Sequence, residues 1–262
     1  MLDARLQAIY QLGHASYEDP AVVSRYMHVG LWPAEEIVVL DHMPDNARVL
    51  DIGCGAGRTT VALAELGLDV VGIDMSEAMI EAAREQARMA RVDVTLQVMD
   101  AMTLDFPEAS FDAALFSYNG IELLPGMAGK RRLFHGLARV LKTGGRFIFC
   151  SHSPFALNAF ALTRIVAFLK FCSGRFLGVP VRERELGERF IDAPWEEAKY
   201  LQILPPSVLM RMAEAHGFRT TYFNTRSRIE SGRPWGLLGH VEDGERFFVC
   251  ERTGRGRDDQ TE

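Results

Sequence analysis

The chain has 262 residues, 48% of them hydrophobic, enough for one large α/β domain with an appended cap or for two small domains. Its 29 basic and 35 acidic residues give a formal charge of −6, which disfavours a surface that follows nucleic-acid phosphates. The four cysteines form no CxxC pair, so we expect a reducing, cytoplasmic location and neither disulfides nor a metal site. No uncharged apolar run is long enough to span a bilayer, and we expect no stable membrane association.

Residues 1–46 are predicted to form a helical cap. Apolar residues recur at helical spacing over 6–12 and 22–26, and a third helix is predicted over 34–42. Three aromatic residues of this cap are candidates for a lid that contacts the substrate: Tyr17, Tyr26 and Trp32. Core packing of the cap is the alternative, and for each residue taken individually it is the favoured one.

Residues 47–153 alternate short apolar runs with helical stretches. Strands are predicted at 49–52, 69–73, 94–98, 113–117 and 146–150, and helices at 59–66, 76–91 and 130–141. Apolar strands separated by helices are typical of a parallel sheet covered on both faces. Right-handed crossovers place the carboxyl ends of these strands along one edge, where open α/β sheets bind their ligands.

Residues 154–204 break this alternation and are predicted to be a helical insertion that covers the substrate. The apolar stretch 155–171 could line a pocket, form a dimer surface or lie in a membrane interface. Burial is the expectation, because its apolar residues run nearly all round the helix. The charged run within 182–189, made up of Arg182, Glu183, Arg184, Glu185 and Arg189, is expected to face solvent. Pairing of one of its arginines with an acidic substrate is the alternative.

Residues 205–252 are predicted to complete the sheet. This segment contains a helix at 207–216 and strands at 219–224 and 246–251. The polar tail, 253–262, is expected to be disordered.

The loop after the first strand carries the strongest chemical signal. Gly53, Gly55 and Gly57 let the backbone turn sharply and approach a ligand, towards which the next helix directs its N-terminal amides. Flavin and nicotinamide enzymes share a Gly-x-Gly. However, Arg58 stands where dinucleotide-binding loops have a third glycine, and Asp51 precedes the loop. Both residues favour a ligand with an amino acid group over one with a pyrophosphate.

Acidic residues follow the second and third predicted strands. Asp74 lies about twenty residues beyond the glycines, where a carboxylate can accept hydrogen bonds from both hydroxyls of a ribose. Asp100 could accept from an exocyclic amine while the backbone amide of Ala101 contacts the adenine ring. Three nearby methionines could sandwich a purine: Met75, Met79 and Met102. Methionine at helical spacing is more often part of a core, a reading that applies most to Met79.

Taken in order, these motifs resemble those of class I S-adenosylmethionine-dependent methyltransferases, in the small-molecule group often called type 11. The segments that carry the resemblance are 49–58, 72–76, 100–102, 111–112 and 139–145, with a departure at Thr143, where the family often has proline. The match is close over 48–153 and loose over the closing strands. The resemblance implies an α/β fold: a Rossmann-like, seven-stranded, mostly parallel sheet with helices on both faces and an antiparallel last strand. It also implies that the Gly53 backbone holds the methionine moiety of S-adenosylmethionine, Asp74 the ribose, and Asp100 with Ala101 the adenine.

The ends of the fourth and fifth strands supply candidates for catalysis. Methyl transfer from a sulfonium is an in-line displacement, and a base is needed only where the acceptor is protonated. The candidates are Ser117, Tyr118, Asn119, Glu122 and His152. Ser117 and Asn119 are assigned to the cofactor, Tyr118 and His152 to the substrate, and Asn119, Glu122 and His152 to catalysis. A solvated carboxylate for Glu122 and a structural role for His152 remain open alternatives.

The sequence thus predicts an enzyme that methylates nitrogen or oxygen of a small, partly apolar molecule, with homodimerisation left open. One alternative is a methyltransferase-like module that binds the cofactor without turnover. A second is a nicotinamide-dependent oxidoreductase, which Arg58 and the lack of a Tyr-x-x-x-Lys pair disfavour.

Overall fold

The computed structural model describes residues 3–27, 30–192 and 198–254. The helices are α1 (Ala4–Tyr17), α2 (Pro20–Tyr26), α3 (Pro33–His42), α4 (Arg58–Glu65), α5 (Glu77–Ala90), α6 (Gly126–Val140), α7 (Ala161–Leu177), α8 (Pro206–Ala215) and α9 (Arg226–Glu230). The strands are β1 (Arg48–Ile52), β2 (Asp69–Asp74), β3 (Thr95–Val98), β4 (Phe111–Phe116), β5 (Leu141–Ser151), β6 (Glu188–Phe190), β7 (Tyr200–Gln202), β8 (Phe218–Thr225) and β9 (Arg246–Arg252). Two short 3₁₀ helices, Gly120–Leu123 and Leu237–His240, complete the elements in these ranges.

Seven strands form one sheet in the order β3-β2-β1-β4-β5-β9-β8. Strands β1 to β5 pair in parallel, whereas β9 is antiparallel to both of its neighbours, β5 and β8. This arrangement confirms the predicted fold class, including the antiparallel last strand. Because Ile52 is in register with Ile73, the glycine loop after β1 begins opposite Asp74.

The central strands are buried on both faces, as their continuous apolar character predicts. Leu50 packs in one core cluster with Phe134 of α6 and Phe147 of β5, while its neighbour Val49 packs in another with Val38 of α3. Successive side chains of a strand point to opposite faces, so helices must cover both. Truncating a buried phenylalanine such as Phe134 to alanine would cost about 3–5 kcal/mol.

Some predicted boundaries are displaced. Helix α6 begins at Gly126 rather than at residue 130, and β5 begins at Leu141 rather than at residue 146. The longer β5 arises because Leu141 pairs with Phe111 before a register shift in the ladder. The predicted tail lies outside the described residues from position 255 onward.

The predicted burial of residues 155–171 is wrong. Only Ala167 of α7 is buried, whereas Leu162 and Leu169 are 69% and 60% exposed. The helix packs mainly on β6 along one narrow face, and no other element in the described part of the chain covers its remaining apolar side chains.

The predicted solvent exposure of the charged run within 182–189 is wrong for Glu183, which is buried, as is Glu188 in the same segment. Glu188 lies in β6, which pairs with β7 to form a small hairpin that the sequence did not predict. Its carboxylate accepts hydrogen bonds from Arg5 of α1 at 2.6 Å and from the Tyr200 hydroxyl at 2.9 Å. Glu188 therefore links the insertion to the cap through its ion pair with Arg5.

Within the described ranges, every helix is too short or too polar to cross a lipid bilayer.

Candidate active site

The loop between β1 and α4 needs glycine at several positions. Gly53, Gly55 and Gly57 all have φ between +54° and +90°. A Cβ on Gly53 would lie only 2.8 Å from the Phe116 ring, and one on Gly57 would lie 3.1 Å from Ala83. The loop is held in place because the Gly55 amide donates to the Asp74 carboxylate at 3.0 Å. The glycines thus permit both the turn and its close packing.

Asp51 is fully buried below this loop. One carboxylate oxygen accepts hydrogen bonds from the Thr59 and Thr60 hydroxyls, both at 2.6 Å, and the other has no partner. Burial raises the pKa of Asp51 to about 6, against the opposing effects of those hydrogen bonds and of Arg58. Both threonines lie in the first turn of α4, so a carboxylate already faces the positive end of that helix. The free oxygen of Asp51 can accept a further hydrogen bond from a ligand, and its negative charge disfavours binding of an anion here.

Arg58 forms a buried ion pair with Glu35 of α3. Its guanidinium donates to both Glu35 oxygens, at 2.6 and 2.8 Å, and to the Ser117 hydroxyl and the Gly30 carbonyl oxygen. The Ser117 hydroxyl in turn donates to Glu35. Arg58 was assigned to the cofactor, but its charge is already neutralised by Glu35. That partner has no local sequence signal, because it lies 23 positions away in the cap.

A cleft of about 1060 Å³, which includes its solvent-open mouth, lies over the loop at the carboxyl ends of the strands. Predicted residues that line it are Gly53, Gly55, Arg58, Asp74, Met75 and Met79, then Asp100, Ala101, Met102, Ser117 and Tyr118, and from the cap Tyr17 and Tyr26. Six predicted residues lie outside its lining: Trp32, Asp51, Gly57, Asn119, Glu122 and His152.

Some lining residues were not anticipated. Tyr10 comes from α1, Phe116 from the end of β4, and Leu123 to Pro125 from the segment that follows. Phe116 and this last segment follow the fourth strand, which was a usable signal, since loops at the carboxyl edge build the site. Tyr10 had no such signal, because its role depends on how α1 folds over the sheet.

Two partly buried carboxylates, Asp74 and Asp100, give the cleft an acidic character. Asp74 accepts from the Ser76 amide at 2.9 Å, and Asp100 from the Met102 amide at 2.8 Å. Burial raises the pKa of both acids, although these backbone hydrogen bonds oppose the shift. Burial, together with the negative charges of Asp100 and Asp74, also raises the pKa of Tyr10. The field in the cleft therefore favours a cationic ligand.

The mouth of the cleft is aromatic. Tyr26 contacts Tyr17 and Tyr118 with ring centroids 5.9 and 5.8 Å apart, and Tyr118 contacts Trp32 at 5.0 Å. Tyr118 has a φ of 49°, which a bulky residue rarely adopts, and its ring is about half exposed. The predicted aromatic residues of the cap are thus brought together with Tyr118 at the rim.

A second polar cluster lies where β5 ends. His152 Nδ1 is 3.1 Å from the carboxylate of Glu122, which is buried and also accepts from the Ser151 hydroxyl at 2.8 Å. On the other side, His152 Nε2 is 3.8 Å from Glu245. Burial of the imidazole opposes protonation, but the hydrogen bond to Glu122 and both acidic charges raise its pKa. Glu122 is therefore a buried carboxylate rather than a solvated one, and His152 bonds this carboxylate rather than a loop carbonyl oxygen.

This cluster is connected to the cleft by a chain of contacts. Glu245 pairs with Arg226 at 3.5 Å, and Arg226 lies 4.3 Å from the centre of the Trp32 ring. Trp32 in turn contacts Tyr118 at the mouth. Asn119 lies between the two sites, with its amide donating to Cys150 Sγ and its buried side-chain oxygen unpartnered.

A family model described as a methyltransferase domain matches residues 49–145. The residues matched run from β1 through the turn in β5, and so include the glycine loop and both acidic strand ends. Residues 49–145 are a methyltransferase domain.

Curated methyltransferases match parts of the chain. The O-methyltransferase cnsE of Penicillium expansum is 36% identical over 139 residues, 52% of this chain and 49% of that protein. A demethylmenaquinone methyltransferase of Symbiobacterium thermophilum is 31% identical over 149 residues, 54% of this chain and 58% of that protein. The chain thus spans about half the length of the curated relatives it matches.

A solved methyltransferase structure has the same fold over most of the chain. The S-adenosylmethionine-dependent methyltransferase of Methanosarcina mazei superposes with a TM-score of 0.65 at 20% identity. The superposition covers 86% of this chain and 99% of that one. The chain therefore has the fold of that methyltransferase over most of its length.

The residues of the cleft fit S-adenosylmethionine. The cofactor carries a sulfonium and an ammonium, and the buried oxygen of Asp51 lacks a donor. A side chain at position 53 would collide with the Phe116 ring and fill the space beside the glycine loop. By contrast, a pyrophosphate would meet Asp51 and Asp74 with only a neutralised guanidinium, Arg58, to oppose them.

Proposed function

We propose that the protein transfers the methyl group of S-adenosylmethionine to an oxygen or nitrogen atom of a small, partly apolar molecule. One observation carries the proposal: the glycine loop, Asp74 and Asp100 converge on a single acidic cleft that opens through an aromatic mouth. The cofactor supplies an activated methyl group. The protein supplies alignment, water exclusion and, where the acceptor requires it, a base.

The cofactor would lie along the strand ends from β1 to β4. The Gly53 and Gly55 backbone would hold its amino acid part, with Asp51 offering its unpartnered oxygen to the ammonium. Asp74 would accept from the ribose hydroxyls, and Asp100 from the adenine amine. Met75, Met79 and Met102 line the same cleft and would pack on the purine. Arg58 and Ser117 would shape the floor through their bonds to Glu35.

The acceptor would enter past Tyr17, Tyr26 and Tyr118, whose rings form an apolar surface at the mouth. His152 lies outside the cleft lining, so it would act as general base through Nε2 on an acceptor that extends from the mouth past Asn119 to the end of β5. Glu122 would accept the Nδ1 proton and so fix the tautomer that leaves Nε2 free. Asn119, with its unpartnered oxygen, would orient the acceptor or the cofactor's amino group.

A base of this kind favours a hydroxyl acceptor. A hydroxyl acceptor must give up its proton when its oxygen is methylated, so it needs a base. His152 has two acidic neighbours, Glu122 and Glu245, that raise its pKa. The name of the Penicillium relative, an O-methyltransferase, supports the same choice. We therefore infer O-methylation of a phenol or alcohol as the main reaction.

The reaction is tested with methyl-labelled S-adenosylmethionine and a panel of phenols, alcohols and amines. The proposal predicts S-adenosylhomocysteine release together with a labelled product whose mass rises by one methyl group. Binding of the cofactor with no turnover on any panel member or on a metabolite extract would favour the non-catalytic module. Perturbation of nicotinamide fluorescence without S-adenosylmethionine binding would favour the oxidoreductase.

The setting of the reaction is also part of the proposal. We infer a reducing, cytoplasmic location, which the free thiols of Cys54, Cys150, Cys172 and Cys250 support. A formal charge of −6 supports a small-molecule acceptor over nucleic acid.

A further inference from the structure

Helix α7 presents an apolar stripe to solvent, outside the cleft. The stripe consists of Leu162, Ile165, Val166, Leu169, Phe176 and Leu177, all exposed. At 100° per residue these six side chains share one face of the helix, opposite buried Ala167. An amphipathic helix of a folded domain normally turns such a face inward.

The stripe continues onto neighbouring loops. Phe155, Leu157 and Phe160 precede α7 and are exposed. The Leu157 amide donates to the Val241 carbonyl oxygen at 2.9 Å, which places exposed Leu237 and Leu238 of the adjacent 3₁₀ helix beside them. We call the stripe and these loop residues the α7 patch. A continuous apolar patch of this kind marks an interaction surface.

Cations border the α7 patch although the chain as a whole is acidic. Residues 154–192 contain six basic and four acidic side chains, and two of the acids, Glu183 and Glu188, are buried. Lys170 and Arg182 pair with Glu183 and Asp192, whereas Arg175 is in no ion pair among the described residues. Arg189 lies over the Phe160 ring. The surface that a partner meets is therefore apolar with a basic rim.

We propose that the α7 patch docks reversibly on an anionic lipid surface, with α7 parallel to the membrane plane. Apolar side chains would enter the interface while the basic rim contacts anionic headgroups. A second copy of the chain fits less well, because a two-fold axis would bring the same basic rim against itself. Seventeen residues of helix span about 25 Å, and α7 lies on the surface rather than through it.

The expected burial of residues 155–171 disfavoured a membrane interface for this segment. The exposure of α7 removes that reason. Docking goes beyond the proposed function and does not depend on it.

The test is co-sedimentation of the full chain with vesicles of phosphatidylcholine alone or with about one quarter phosphatidylglycerol. We expect binding to the anionic vesicles at least about tenfold stronger than to the neutral ones, and weakened by about 0.5 M salt. Leu169→Glu and Phe176→Glu should each reduce binding about tenfold or more. Arg175→Gln should reduce it about fivefold.

The matched control is Met89→Glu, which places the same charge on an exposed position of α5. We expect every variant to fold, because all the substituted side chains are exposed, and thermal melting followed by circular dichroism checks this. Absence of binding to anionic vesicles, or equal binding by Leu169→Glu and Met89→Glu, overturns the proposal. So does a wild-type dimer in analytical ultracentrifugation that Leu169→Glu converts to a monomer while vesicles are not bound.

Discussion

Buried charges around the glycine loop select the kind of ligand that can bind there. Asp51 occupies the end of α4 at which a nucleotide-binding helix would otherwise receive a phosphate. Arg58, which could have balanced an anion, is held by Glu35. The glycine loop resembles a dinucleotide site, but Asp51 is negative and the charge of Arg58 is neutralised by Glu35. The site is therefore better suited to a cation than to an anion.

The Arg58–Glu35 pair should be essential for stability. Glu35→Gln leaves the buried guanidinium without its counter-charge, and we expect the free energy of unfolding to fall by about 3 kcal/mol or more. Urea denaturation measures the change. Glu36→Gln, on the exposed neighbour in α3, should alter it by less than about 0.5 kcal/mol. Similar values for the two variants would contradict the structural role of the pair.

His152 should control the pH dependence of methyl transfer to a hydroxyl. The base must be unprotonated, and its pKa is raised above the ordinary 6.5, so kcat/KM should rise with pH through a midpoint above 6.5. Glu122→Gln removes an acidic neighbour, which lowers the pKa of His152 and moves the midpoint to lower pH.

The same role sets the expected loss for His152→Ala. General-base catalysis contributes about 10²–10⁴-fold, so kcat should fall by about 10²-fold or more with S-adenosylmethionine affinity unchanged. His135→Ala, in an exposed position of α6, is the control. An unshifted pH profile in Glu122→Gln, or full activity in His152→Ala, would show that this cluster is structural.

The β6–β7 hairpin is the element whose attachment most shapes the molecule outside the sheet. Lys130 of α6 is fully buried beneath it and donates to Gln202 at 3.0 Å and to the Leu124 carbonyl oxygen at 3.1 Å. Glu185 accepts from the Met127 amide at the start of α6. Leu124 lines the cleft, so the hairpin supports the cleft wall from behind.

The buried Lys130 predicts a characteristic pH dependence of stability. Burial lowers its pKa to about 7, against the opposing charges of Glu122, Glu185 and Glu188. Since the unfolded lysine binds its proton up to about pH 10.5, the unfolded state holds more protons between about pH 7 and 10. The Lys130 contribution to stability should therefore rise with pH in that window, by at most about 1.4 kcal/mol per unit.

Urea denaturation at several pH values measures this slope in wild type and in Lys130→Met, in which it should be flatter. Lys142→Met replaces a partly exposed lysine and should keep the wild-type slope. Equal slopes in wild type and Lys130→Met would mean that Lys130 keeps its proton in the folded state.

The elements that the sequence predicted are those with local causes. The strands of the parallel sheet are continuous apolar runs, and the glycine loop and Asp74 lie at fixed distances along the chain. The hairpin and the exposed face of α7 have no such local cause. Glu188 is buried because Arg5 and Tyr200 reach it from distant parts of the chain, and α7 is exposed because nothing covers it in the described ranges. The spacing of apolar residues predicts which face of a helix is apolar, but it does not predict which other element packs against that face.

At the scale of the whole molecule, three parts converge on one cleft. The sheet supplies the acidic strand ends, the cap supplies Glu35 and the aromatic mouth, and the insertion supports the wall at Leu124. The α7 patch faces away from these contacts. Cofactor binding and lipid docking should accordingly be separable by substitution.

The central claim is that this cleft binds S-adenosylmethionine, and calorimetric titration of wild type and Asp74→Ala tests it most directly. We expect wild type to bind, and Asp74→Ala to bind about tenfold to a hundredfold more weakly, because hydrogen bonds to a charged group are lost. Asp69→Ala, at the exposed opposite end of β2, should bind as wild type does. Unchanged affinity in Asp74→Ala, or no binding by wild type, would contradict the account.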